Sequence, residues 1–208
     1  MLCLTDNDIV LKLAACDLLN EAVTALDVAL TEIQTIESLH YQLRKPNKAW
    51  VNRYGQTAID RAAAFIKSIG TITSVDLDEQ KLLSTQPDID MGEATLFAAS
   101  HKMSDYIIAT GDKRCLQSLA ASLTCKPITT RLRGKIICFE QIVLRTIDRH
   151  GFELVKSKVI LALDCDTALK AAFGSGTEAN YANATDALKS YIRDLRKRTG
   201  GLLLAAPD

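Results

Sequence analysis

Two acidic residues in this chain stand directly after predicted strands. Met1–Thr5 reads as a short buried strand and is followed by Asp6, while Tyr106-Ile107-Ile108-Ala109-Thr110 is a second strand running into Gly111-Asp112-Lys113. Glu93 opens a helix of small and apolar residues, Gly92 to Ser100, that feeds the second strand, and Glu37 lies in an early helix of the same layer. In a parallel α/β sheet, ligands bind beyond the carboxyl ends of the strands. Asp6, Glu37, Glu93 and Asp112 are therefore expected to face one crevice. Converging carboxylates repel one another unless a cation lies among them. Hard divalent ions such as Mg²⁺ or Mn²⁺ take oxygen ligands, keep waters and bind substrate phosphates. An ion held this way lowers the pKa of a bound water and stabilises charge at phosphorus, the chemistry of phosphodiester hydrolysis.

The elements that must position these acids follow from periodicity. Ile9, Leu11, Leu13, Leu18 and Leu19 mark the core side of a helix from Asn7 to Leu26, with Asn7 or Asp8 as its cap. Asp27–Arg44 begins apolar and continues with helical period through Glu32–Leu39; Asn47–Gly55 reads as a loop or a helix–helix connection around the single Trp50. Thr57–Ser68 is helical, Ile72–Val75 β-branched enough for a strand, Asp78–Leu83 a short helix. Beyond Asp112, Cys115–Leu123 is helical and Lys135–Phe139 a further strand, followed by a helix through Ile147. This alternation predicts an α/β fold, a three-layer α/β/α sandwich around a mostly parallel sheet. Residues 149–208 are helical and Ala-rich, interrupted at Gly174-Ser175-Gly176-Thr177, and read as a C-terminal extension packed on the same domain.

Composition sets the class. The 208 residues, 48% hydrophobic, are ample for a core, and 10 Gly with 4 Pro exclude collagen-like or low-complexity chains. No apolar run reaches the ~18 residues of a membrane span, and Met1–Asp6 lacks the basic and hydrophobic regions of a secretory signal, so a soluble cytoplasmic protein without membrane contact is expected. Six cysteines contain no CxxC pair, which removes zinc and thioredoxin-like readings. Formal net charge is zero, 25 basic against 25 acidic residues; a nucleic-acid binder usually carries a basic surplus. Two basic clusters, Arg131-Arg133-Lys135 and Lys189–Arg198, are candidates for phosphate contact. Lys12 is expected to snorkel from the first helix, and Lys113 and Arg114 stand beside Asp112.

The segments Thr5-Asp6-Asn7-Asp8-Ile9-Val10, Gly92-Glu93-Ala94-Thr95-Leu96 and Ala109-Thr110-Gly111-Asp112, in that order, resemble PIN-domain nucleases. There a first strand ends in Asp and runs into an apolar helix, and a later strand ends in Thr-x-Asp. The resemblance covers residues 1–148. It implies a PIN-like fold and a Mg²⁺- or Mn²⁺-dependent ribonuclease, many such proteins being toxins of bacterial toxin–antitoxin pairs. Carried over by position, it implies catalytic roles for Asp6, Glu37, Glu93 and Asp112, with Asp6, Glu93 and Asp112 on the metal and Glu32 as the competitor of Glu37. Thr110 matches the family's small hydroxyl residue at that strand end; with Lys113 and Arg114, whose place beside Asp112 suits contact with a scissile phosphate, it makes up the candidate substrate-binding set. An RNA substrate, an antitoxin protein and a homodimer are the implied partners. Two departures stand out. The toxins are mostly shorter than this chain, and many carry another acid after Thr-x-Asp, where Lys113, Arg114 and Cys115 stand here.

Two alternatives belong to other classes. Asp6-x-Asp8 after a strand resembles haloacid-dehalogenase-type phosphatases, with Asp6 as nucleophile and Asp8 as acid/base. Val10, however, stands where those enzymes usually carry a hydroxyl. A PIN-like scaffold with a degraded site, serving as a binding module, is the other.

Overall fold

The structure, a computed structural model, describes residues 1–205. Its centre is a five-stranded, all-parallel sheet in the order β3-β2-β1-β4-β5. The chain opens with β1 (Leu2–Thr5), α1 (Asn7–Ala15) and α2 (Leu19–Ala25), then β2 (Ile33–Thr35), α3 (Glu37–Arg44), α4 (Lys48–Tyr54), α5 (Gln56–Phe65) and the two-residue β3 (Gly70–Thr71). The second half runs α6 (Leu77–Ser84), α7 (Met91–Ala99), β4 (Tyr106–Thr110), α8 (Lys113–Ala121), α9 (Lys126–Arg131), β5 (Ile136–Cys138) and α10 (Phe139–His150). It ends with α11 (Phe152–Val159), α12 (Thr167–Phe173) and α13 (Tyr181–Thr199).

Side chains alternate across each strand, and the two faces feed separate cores. Cys3, Ile107, Ala109 and Ile137 join α1, α2, α5 and α10 on one face. Leu4, Tyr106, Ile108 and Ile136 join α7, α8 and α9 on the other. The expected layering is thus present, with helices on both sides of the sheet.

Four expectations change, the first being the strand at Ile72–Val75: β3 ends at Thr71 and Ile72–Val75 is irregular. The helix predicted from Asn7 to Leu26 is broken by Asp17, whose φ of 54° is left-handed, with Leu18 N–H returning to the Leu13 carbonyl at 2.8 Å. The helical reading of Glu32–Leu39 fails because Ile33–Thr35 is a strand paired to Cys3–Thr5; three residues are too few for their pattern to reveal the period. Asn47–Gly55 is not a loop but holds α4, which Asn47 caps by accepting from the Trp50 amide at 2.8 Å.

The C-terminal segment packs into both cores. Phe173, Ala184 and Leu188 enter the first, Ile192 and Leu195 the second, and Leu203 forms a parallel bridge to Ile136. All six cysteines are buried free thiols. Among the described residues, no helix is long and apolar enough to cross a membrane.

Candidate functional site

Strands β1 and β4 are neighbours with Thr5 opposite Ala109, so the turns that follow them open at the same sheet edge. Asp6 caps α1, its Oδ1 accepting from the Ile9 amide at 2.7 Å, while its Oδ2 accepts from the Gly111 amide at 2.9 Å. Asp112 caps α8, accepting from the Arg114 and Cys115 amides at 2.8 and 2.9 Å. Glu93 sits in the first turn of α7, where its carboxylate accepts from the Asp90 amide and the Asp90 carboxylate accepts from the Glu93 amide, both at 2.8 Å. Each acid is therefore fixed by exposed amides at a helix start, groups that have no partner within the helix itself.

These residues line one crevice of about 810 Å³ with Asp8, Asp90 and Asp166; the cations around it are Lys12, Arg53, Lys113 and Arg114. Burial pushes the Asp6 carboxyl up to about 6, and the charge of Asp8 adds to the effect. Burial likewise raises Glu93 to about 7, with the charges of Asp90 and Asp112 contributing.

Glu37 stands apart. It is exposed on α3 and lines a different concavity with His40, Tyr41 and Thr71, whereas its neighbour Ser38 faces the crevice. A one-residue step turns a helix by about 100°, which separates the two. Its competitor Glu32 binds the N-terminal amine at 2.6 Å. Thr110 is fully buried; its hydroxyl works against the rise in the Asp6 pKa and accepts from the Asp112 amide at 3.3 Å, so it holds the strand end and offers no substrate surface. Lys113 is bound to the buried Glu140 carboxylate and lies 4.7 Å over the Tyr191 ring. Arg114 is exposed beside Asp112.

A second constellation was not anticipated. Lys12 does not snorkel: it is only 5% exposed, and its ammonium lies 2.6 Å from Asp8 and 2.8 Å from Asp166. Tyr54 donates to Asp8 at 2.7 Å, and the Phe139 ring lies 5.2 Å from the ammonium. Burial alone would lower the Lys12 pKa, but Asp8 and Asp166 outweigh it and hold the amine above its ordinary value. Gly111 is pressed against this cluster, since a Cβ there would meet Asp8 Oδ2 at 2.5 Å and Lys12 Nζ at 3.3 Å. A lysine inside the run Ile9–Ala14, four residues after an Asp, was the available clue; Asp166 left none.

Compared with known proteins, the chain matches no family model, no curated protein and no solved structure. The carboxylates of the crevice are the oxygen donors that Mg²⁺ or Mn²⁺ prefers. Among the described residues, no group of three Asp, Glu, His or Cys side chains that could by itself hold a metal ion is found.

Proposed function

We propose that the crevice hydrolyses RNA phosphodiester bonds in a Mg²⁺- or Mn²⁺-dependent reaction, as a PIN-type nuclease. The observation that carries this reading is the hydrogen bond from the Gly111 amide to Asp6, which ties the acid-bearing ends of two adjacent parallel strands together. Glu93 in the same crevice adds support. A carboxyl raised to about 7 can take or give a proton near neutral pH, the property a general acid or base needs. In this reading Asp6 and Asp112 supply fixed negative charge at the crevice floor. Arg114, exposed beside Asp112, contacts a substrate phosphate, and Lys113 serves as a positioning residue through Glu140.

A second reading, a binding scaffold of the same shape without catalysis, is favoured by the lack, among the described residues, of three acids grouped to hold a metal and by the Lys12 ammonium already paired with Asp8 and Asp166. The phosphatase reading has less support, because both Asp6 oxygens accept backbone amides and α1 starts at once.

Labelled single-stranded RNA incubated with the protein and Mn²⁺, with and without chelator, separates the first two. Chelator-sensitive cleavage that is lost in Asp6→Asn and Asp112→Asn supports the nuclease. RNA that stays intact under all these conditions leaves the scaffold.

A further inference from the structure

We propose that the groove between α10 and α13 binds the phosphate backbone of a single-stranded nucleic acid. The groove encloses about 350 Å³, and its cations are Arg145 from α10 with Lys189, Arg193 and Arg196 from α13, against the single acid Asp148. The whole chain is formally neutral, so four cations beside one acid is a local excess rather than a general property of the surface. Among the described residues, Arg145, Lys189 and Arg193 make no ion pair or side-chain hydrogen bond. Arg196 gives one N–H to the Leu204 carbonyl at 2.9 Å. Elsewhere the basic residues are more often engaged: Arg131 binds Glu79, and Arg198 binds Asp194 at 3.0 Å.

The three α13 cations fall at i, i+4 and i+7, one face of the helix, and span about 10 Å at 1.5 Å per residue. A row of cations along a groove tracks a polymer of phosphates better than a single anion. The ligand's other requirement is met at the groove's end. Tyr181 is 52% exposed, and its ring is held edge-on to Phe152 at 5.8 Å, which in turn stacks on Phe173 at 5.9 Å. A braced, exposed aromatic offers a stacking platform for a base, which only an unpaired strand presents freely. Binding here does not depend on cleavage in the acidic crevice, so it is measured with the metal removed.

The experiment is fluorescence anisotropy of a labelled 12-nucleotide single-stranded RNA on the full chain in chelator, as a function of salt. The expected result is salt-sensitive binding that Lys189→Glu/Arg193→Glu weakens at least tenfold, flattening the salt slope by about 1.4 for two lost phosphate contacts. Tyr181→Ala is expected to weaken it at least threefold without changing that slope. Arg133→Glu, an exposed charge outside the groove, should change affinity less than twofold. No binding, or equal losses from Arg133→Glu, overturns the proposal. So does displacement of the strand by equimolar uridine monophosphate, which would identify a mononucleotide site.

Discussion

Lys12 and Asp166 come from the first helix and the C-terminal segment, yet the Lys12 ammonium lies 2.8 Å from the Asp166 carboxylate in a nearly dry pocket, with side chains 6% and 10% exposed. The pair fastens the C-terminal segment to the wall of the acidic crevice, and Asp166 also caps α12 through the Ala168 amide at 2.8 Å.

Removing one partner of a buried ion pair leaves an uncompensated charge, at a cost of about 3–5 kcal/mol. Lys12→Met strands two carboxylates and is expected at that level, whereas Asp166→Asn leaves Lys12 its contact with Asp8 and is expected near 2 kcal/mol. Urea denaturation of both single variants and the double variant measures this. A coupling energy near zero would show that the pair does not act as one.

Acidity in the crevice predicts a pH dependence. In chelator, Asp6 and Glu93 keep their protons up to about 6 and 7, above their ordinary values of 3.8 and 4.5. Between those limits the folded state holds more protons than the unfolded one, so the stability these groups contribute falls as pH rises through the window. Glu93→Gln is expected to flatten that fall, gaining about 2 kcal/mol on the wild type between pH 4.5 and 8. Denaturation midpoints across this range decide it, and parallel profiles for variant and wild type would refute the assignment.

Divalent ions are expected to raise the melting temperature at pH 7.5. A ligand at a hundred times its dissociation constant adds about 2.7 kcal/mol, or roughly 5–10 °C for a chain of this size. The shift should vanish in Asp112→Asn and shrink at pH 5.5, where Glu93 holds a proton. An equal shift in wild type and Asp112→Asn would place the ion elsewhere.

Gly111→Ala puts a methyl 2.5 Å from the Asp8 carboxylate, which Lys12 and Tyr54 hold in place. Overpacking of this kind costs about 1–3 kcal/mol. Thermal denaturation is expected to show that loss together with reduced RNA cleavage; a variant as stable as wild type would mean that the cluster yields easily.

Glu37→Gln is expected to leave RNA cleavage within twofold of wild type, because the side chain faces another concavity. A hundredfold loss of rate would bring Glu37 back into the reaction.

How much of this was legible differs by element. Tyr106–Thr110, buried at every position, was read to the residue because a run of apolar and β-branched side chains closed by Gly111 has few alternatives. β2 was missed because Ile33, Ile36 and Leu39 keep a helical spacing across a strand of only three residues, and β3, at two residues, carries almost no pattern.

What the amino-acid order determined by itself was local: an acid at the end of each central strand, where the exposed amides of the next helix receive it, and hence Asp6 and Asp112 at one sheet edge. The tertiary structure alone decided which other charges join them. Glu37 left the group through one step of helical phase, and Asp166 entered it because the C-terminal segment folds back to bury Lys12 between its carboxylate and that of Asp8. Burial free energy, not sequence proximity, chose those neighbours, since a charge withdrawn from water is stable only where the fold brings its opposite.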